Sequence, residues 1–138
     1  MLSDLCPDEW KGRFFPDEGR GLNAELGALV GKLARQPLLV IHADLPLLAL
    51  EDIAALLTEA ESGCAIAPDR EGGGTNAIAL RDPTGFEFAF GPRSFARHLA
   101  AGGVGARVVR RTGLAMDIDT PDDLDAATGL GYDLAVGN

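Results

Sequence analysis

The run from Pro37 to Ala43 (PLLVIHA), closed by Asp44-Leu45-Pro46, constrains the fold more than any other stretch. It is apolar throughout, carries β-branched residues and is too short for a stable helix. A strand with no polar face must be covered on both sides, which is the pattern of a sheet sandwiched between helices. Cys64 to Ala67 and Asn76 to Leu80 read the same way. Between these runs the apolar spacing changes to that of a helix. Leu22, Leu26, Leu29, Val30 and Leu33 share one stripe, with Asn23 as the expected N-cap and Pro37 as the stop. Residues 51–61 form a second helix with Ile53, Leu56 and Leu57 inward, and a third runs from about Phe95 to Ala101 behind Ser94. Thr120-Pro121-Asp122-Asp123 opens a last one, with Thr as cap, Pro at the first position and acids in the first turn. Further short strands are expected at Phe86–Phe90, Arg107–Arg110 and Met116–Asp119. The alternation predicts an α/β fold: a mostly parallel twisted sheet with helices on both faces. At 138 residues, 46% of them hydrophobic, the chain suits a single domain over residues 1–138.

The net charge is −9 and lysine occurs only at positions 11 and 32. No basic run exists to neutralise a nucleic acid or an anionic membrane, so neither is an expected partner. A nucleotide stays open, because a metal held by carboxylates inverts the local field. Cys6 and Cys64 make neither a disulfide framework nor a metal-ligand spacing, which fits free thiols in a reducing cytoplasm. No signal peptide is visible and no stretch approaches the ~20 apolar residues of a membrane helix, so the expected location is cytoplasmic.

Five places can carry chemistry. Asp44 follows a buried strand, where open α/β sheets bind ligands, and its carboxylate suits Mg²⁺; a loop or capping role is the alternative. His42, inside the strand, reads as a satisfied core histidine. Asp117 and Asp119 would converge on one side of a strand, where a cation relieves their repulsion; a solvated acidic helix start is the alternative. Asp69 to Asn76 (DREGGGTN) offers glycine N–H groups to an anion, with Thr75 and Asn76 as further donors, or is a plain turn; it lacks the lysine of a P-loop. Gly91-Pro92-Arg93-Ser94 precedes a helix and is either an anion site or a structural cap. Gly19 to Asn23 is a glycine turn at another helix start.

In order along the chain, GLNAEL (21–26), LLVIHADLPLL (38–48), IAPDREGGGTNAIALR (66–81), FAFGPRSFARHL (88–99) and GLAMDIDTPDDL (113–124) resemble the guanylyltransferases of coenzyme F-420 biosynthesis, members of the MobA-like nucleotidyltransferase superfamily. The resemblance implies transfer of GMP from GTP to a phosphorylated three-carbon acid (2-phospholactate, phosphoenolpyruvate or 3-phosphoglycerate) with release of pyrophosphate. It implies that Asp44, Asp117 and Asp119 are the catalytic, Mg²⁺-binding aspartates. Thr75, Asn76, Gly91 and Ser94 then serve the acid, and Gly21, Leu22 and Asn23 the nucleotide. Members of the family begin with a further strand, lysine-bearing phosphate loop and helix, so the chain is expected to be an N-terminally truncated form of that domain. A sheet lacking its central strand exposes an edge, which implies a homo-oligomer; a monomer in light scattering would contradict this. A non-catalytic truncated paralogue and a MobA-like enzyme with another substrate are the competing readings.

Overall fold

The computed structural model describes residues 2–3, 8–9, 11–33, 35–118 and 120–132. In chain order its elements are β1 (Leu2–Ser3), β2 (Phe15–Pro16), α1 (Leu22–Lys32), β3 (Leu38–Ile41), α2 (Leu50–Glu59), β4 (Cys64–Pro68), β5 (Thr75–Leu80), α3 (Ser94–Gly102), β6 (Ala106–Val108), α4 (Thr112–Ala115) and α5 (Pro121–Gly129). β1 and β2 pair in parallel as a small separate ribbon. The main sheet has the order β3-β5-β4-β6.

The expected mostly parallel sheet is corrected to a mixed one. β5 lies antiparallel to both β3 and β4, and only β4 and β6 run parallel. The cause is the length of the glycine loop. Residues 69–74 suffice for a hairpin, whereas a parallel crossover needs about a dozen residues or more. β5 therefore turns back beside β4 and separates it from β3.

Helices do cover both faces, as the apolar pattern predicts. Ala65, Ala67, Ala77 and Ala79 point to one face, against Leu56 of α2, Ala60 and Leu114 of α4. Cys64, Ile66, Ile78 and Leu80 point to the other, against Phe86, Phe88, Phe90 and, from α3, Phe95 and Leu99. Ile66 and Ile78 are fully buried, and each such side chain contributes about 2 kcal/mol of hydrophobic stabilisation. Burial also pushes the free Cys64 thiol up to about 11. Cys6 lies outside the described residues.

Several local expectations shift. α1 is capped by Gly21, whose φ of 89° is one that only glycine adopts readily, so Asn23 sits inside the first turn. Arg93, at φ 56°, precedes α3 and makes Ser94 its first residue. Leu57 is 47% exposed, so it is not an inward residue of α2. Thr120 caps α5 as expected: its hydroxyl accepts the Asp123 N–H, and its own N–H donates to the Asp123 carboxylate. Phe86–Phe90 and Met116–Ile118 are not strands, and α4 stands where no helix was anticipated. The backbone of the aromatic segment bonds to side chains instead of a neighbouring strand, at Ala89 and Phe90.

Candidate active site

An irregularity in the β4–β5 ladder builds the centre of the site. Ala67 pairs with Ala77, but Pro68 pairs with Thr75, so Thr75 and Asn76 together oppose one residue. Strict alternation would put Thr75 on the alanine face. The bulge reverses this, because an extra residue in one strand inverts every side chain beyond it. Asn76 turns to the alanine face, where its Nδ2 donates to the Leu114 carbonyl of α4 at 3.1 Å. Thr75 turns to the aromatic face, where its Oγ1 lies 3.0 Å from His98 Nδ1 of α3. Asn76 is thus drawn into a buried structural bond on the face away from Thr75.

His98 and Ser94 are one turn apart on α3 and both are buried against the sheet. His98 Nε2 accepts the Ala89 N–H at 2.8 Å, and its ring is enclosed by Phe90 at 4.6 Å and Phe86 at 5.9 Å. Desolvation, assisted by the Arg97 charge, lowers its pKa to about 4. Asn23 reaches the same segment from α1. Its Oδ1 accepts the Phe90 N–H at 2.7 Å and its Nδ2 donates to the Phe90 carbonyl at 3.0 Å. One amide therefore holds both backbone groups of the residue before Gly91. Gly91 takes φ 117°, and Ser94 N–H donates to its carbonyl at 3.0 Å. Thr75, Gly91 and Ser94 are in this way assembled by α1, α3, β5 and the aromatic segment together.

Asp44 follows β3 with an exposed side chain. Its carbonyl accepts the Ile118 N–H at 3.2 Å, which brings Ile118 next to Asp44. Asp117 also lines a cleft of about 200 Å³ with Asp69, Arg70, Glu71, Thr120 and Asp123. Asp119 lies outside the described residues. Among those described, no three His, Cys, Asp or Glu residues form a cluster that could enclose a metal ion by themselves. Asp44 and Asp117 supply the hard oxygen donors that Mg²⁺ prefers, and Mg²⁺ needs only one or two carboxylates beside phosphate and water.

The glycine loop satisfies itself. The Asp69 carboxylate accepts the N–H groups of Gly73 and Gly74, and its carbonyl accepts that of Gly72. These amides are not an open anion cradle, and the plain-turn alternative describes this loop. His42 is half-buried beside Phe90 at 5.2 Å, and its Nε2 is the one buried side-chain nitrogen or oxygen without a partner among the described residues. It is not the satisfied core histidine the strand pattern suggests.

Residues 3–131 match the family described as guanylyl transferase CofC like. The chain belongs to this family. Curated relatives named phosphoenolpyruvate guanylyltransferase are similar to it. That of Rubrobacter xylanophilus is 44% identical over 126 residues, covering 83% of this chain and 62% of the relative. That of Sphaerobacter thermophilus is 50% identical over 96 residues, covering 67% and 46%. That of Thermobaculum terrenum is 34% identical over 143 residues, covering 98% and 60%. The chain therefore spans between about half and three-fifths of these relatives' lengths.

Two residues that matter to this site fall inside the stretches 21–26 and 88–99 that carry the resemblance, but the sequence gives them no role. One is His98. The other is Glu25, whose buried carboxylate takes Arg20 Nε at 3.0 Å and a second guanidinium N–H at 2.8 Å, with the backbone N–H groups of Glu18 and Arg20. It orders the turn that carries Gly21, Leu22 and Asn23 into α1. It lies in GLNAEL (21–26), but an acid three residues into a helical stripe reads as an ordinary surface glutamate. The Arg20 hydrogen bonds hold its pKa down at about 2, against an ordinary 4.5. Its contribution is complete above the ordinary value and fades as pH falls towards about 2. The difference in Tm between the native chain and Glu25→Gln is expected to be constant from pH 7 down to about 4.5 and to close below it. A gap that persists unchanged at pH 2 would contradict the pairing.

Proposed function

We propose that the chain transfers GMP from GTP to a phosphorylated three-carbon acid, releasing pyrophosphate, as a step in coenzyme F-420 biosynthesis. Membership of the CofC-like family and the names of its relatives support the reaction class. One observation supports the site most strongly: the bulge turns Thr75 to the face on which Ser94 is buried, behind the exposed turn at Gly91. Two hydroxyls and a permissive backbone turn suit an oxyanion of phosphate or carboxylate.

A phosphate oxygen of the acid attacks the α-phosphorus of GTP in line. The new bond is P–O–P, and the bond from the α-phosphorus to the β-bridging oxygen breaks. Pyrophosphate leaves with that electron pair. Such chemistry asks the protein for position and charge compensation. Thr75, Ser94 and the turn at Gly91 hold the acid, with Asn76 supporting β5 from behind. Asp44, Asp117 and Asp119 would hold Mg²⁺, which when bound supplies charge neutralisation between the two phosphate groups. Gly21, Leu22 and Asn23 lie towards the nucleotide. Asn23 joins that side to the acid side through its two bonds to Phe90. β3 lies at an edge of the four-stranded sheet with no further strand beside it among the described residues, which supports pairing with a second copy.

Calorimetric titration of phosphoenolpyruvate, 2-phospholactate and 3-phosphoglycerate in Mg²⁺ buffer tests the acid site. One of the three is expected to bind, with affinity about tenfold weaker in Ser94→Ala. Equal isotherms for native and variant chains would sink the assignment.

A further inference from the structure

We infer that His98 is a positioning residue that fixes the direction of the Thr75 hydroxyl, so that its hydrogen is presented to a ligand oxyanion. The inference rests on the reading of Thr75 as an acid-site residue, but its first half stands on geometry alone.

The deduction uses only donors and acceptors. The Ala89 amide can donate and cannot accept, and it lies 2.8 Å from His98 Nε2. Nε2 must therefore offer its lone pair. In the neutral ring the one remaining proton is on Nδ1, and the atom 3.0 Å from Nδ1 is Thr75 Oγ1. Nδ1–H donates, and Oγ1 accepts. An accepting hydroxyl does not spend its own hydrogen on the histidine, and one of its two lone pairs is occupied, so Thr75 Oγ1–H is left to donate to another partner. Without the histidine both lone pairs are free and the hydroxyl can rotate to turn either of them on the ligand, which repels an anion.

The surroundings keep the ring in this state. Phe86 and Phe90 enclose it, the sheet covers it, and Arg97 is the charged neighbour on its own helix. All of these favour the neutral form, so the proton pattern persists across the neutral range. The segment that supplies the Ala89 amide is itself held by Asn23 at Phe90. The chain of contacts runs from α1 through the aromatic segment to His98 and then to Thr75. The ligand class that suits a hydroxyl whose hydrogen is left to donate is a phosphate or carboxylate oxygen.

Nitrogen-15 NMR of the histidine rings in the intact chain, without any ligand, reads the tautomer directly. The expected pattern for His98 is a protonated Nδ1 and a bare Nε2 from pH 8 to pH 6. A protonated Nε2, or a doubly protonated ring at pH 7, overturns the inference, whatever the chain binds.

A second arm uses phosphoenolpyruvate as the probe in Mg²⁺ buffer. His98→Asn keeps an N–H at the Nδ1 position, whereas His98→Gln places its amide towards Ala89 and loses that donor. Affinity is expected to fall about tenfold in His98→Gln and in Thr75→Val, and by no more than about threefold in His98→Asn. The double variant Thr75→Val/His98→Gln should lose no more than either alone, because the two act as one unit. Equal losses in the Asn and Gln variants, with melting temperatures matched, would reduce His98 to packing and overturn its positioning role. A native chain with the expected tautomer and no affinity for any of the acids would instead refute the proposed function.

Discussion

Replacing Gly113 by alanine is expected to destabilise the protein by about 3 kcal/mol, more than most substitutions of comparable size. A Cβ at this position would collide with the Asp52 carboxylate and stand 2.6 Å from the Leu47 carbonyl oxygen. Neither neighbour can yield. The Leu47 oxygen is backbone, and the Asp52 carboxylate is committed to the Ala49 N–H at 3.0 Å and to Arg111 Nε. Asp52 is itself buried, so displacing it would strand a charge. The damage should also travel. Leu114 follows in α4, is fully buried, and its carbonyl holds Asn76 at the bulge that aims Thr75. Gly27→Ala in α1 is the control: open space surrounds it, and helix propensity alone should make it neutral to stabilising by up to about 1 kcal/mol. Urea denaturation of the two variants checks this. Similar midpoints would show that α4 does not pack on Asp52 as described.

Asp44→Asn is expected to reduce pyrophosphate release by roughly two to three orders of magnitude, while leaving stability almost unchanged. The separation follows from the way the residue is used. Its structural bond is made by the carbonyl, which accepts from Ile118 and survives the substitution. Its carboxylate is exposed and is the part proposed to meet Mg²⁺. The asparagine keeps the shape and removes the charge. Turnover measured across a magnesium series, beside a melting curve, reads both quantities. Activity within a few-fold of the native chain would remove Asp44 from the metal site.

The layered core was legible because it depends on a local period. Alternate residues of Cys64–Pro68 and Thr75–Leu80 pack against different helices, as uninterrupted apolar strands require. The cap at Thr120 was equally plain, since cap and partner lie three residues apart. What stayed hidden depends on pairing at a distance. Sheet direction follows from the six residues 69–74, too few for a parallel crossover, but reading them as a phosphate loop hid the hairpin that Asp69 closes on Gly73 and Gly74. The bulge at Thr75-Asn76 leaves no mark in the period of either strand. Asn23 looks like a helix cap until Phe90, 67 residues away, takes its amide. The motifs thus pointed to Thr75, Gly91 and Ser94 as candidates. Asn23 was expected on the nucleotide side, and His98 and Gly113 lay in the matched stretches without a role; that these three orient Thr75, Gly91 and Ser94 came into view only with the fold.

The most direct measurement is pyrophosphate release by the purified 138-residue chain given GTP, Mg²⁺ and, in turn, phosphoenolpyruvate, 2-phospholactate or 3-phosphoglycerate. The proposed GMP transfer predicts release that requires all three components, favours one acid, and is lost in Asp44→Asn. Release that proceeds without an acid, or that is unchanged in Asp44→Asn, would contradict it. So would no release with any of the three.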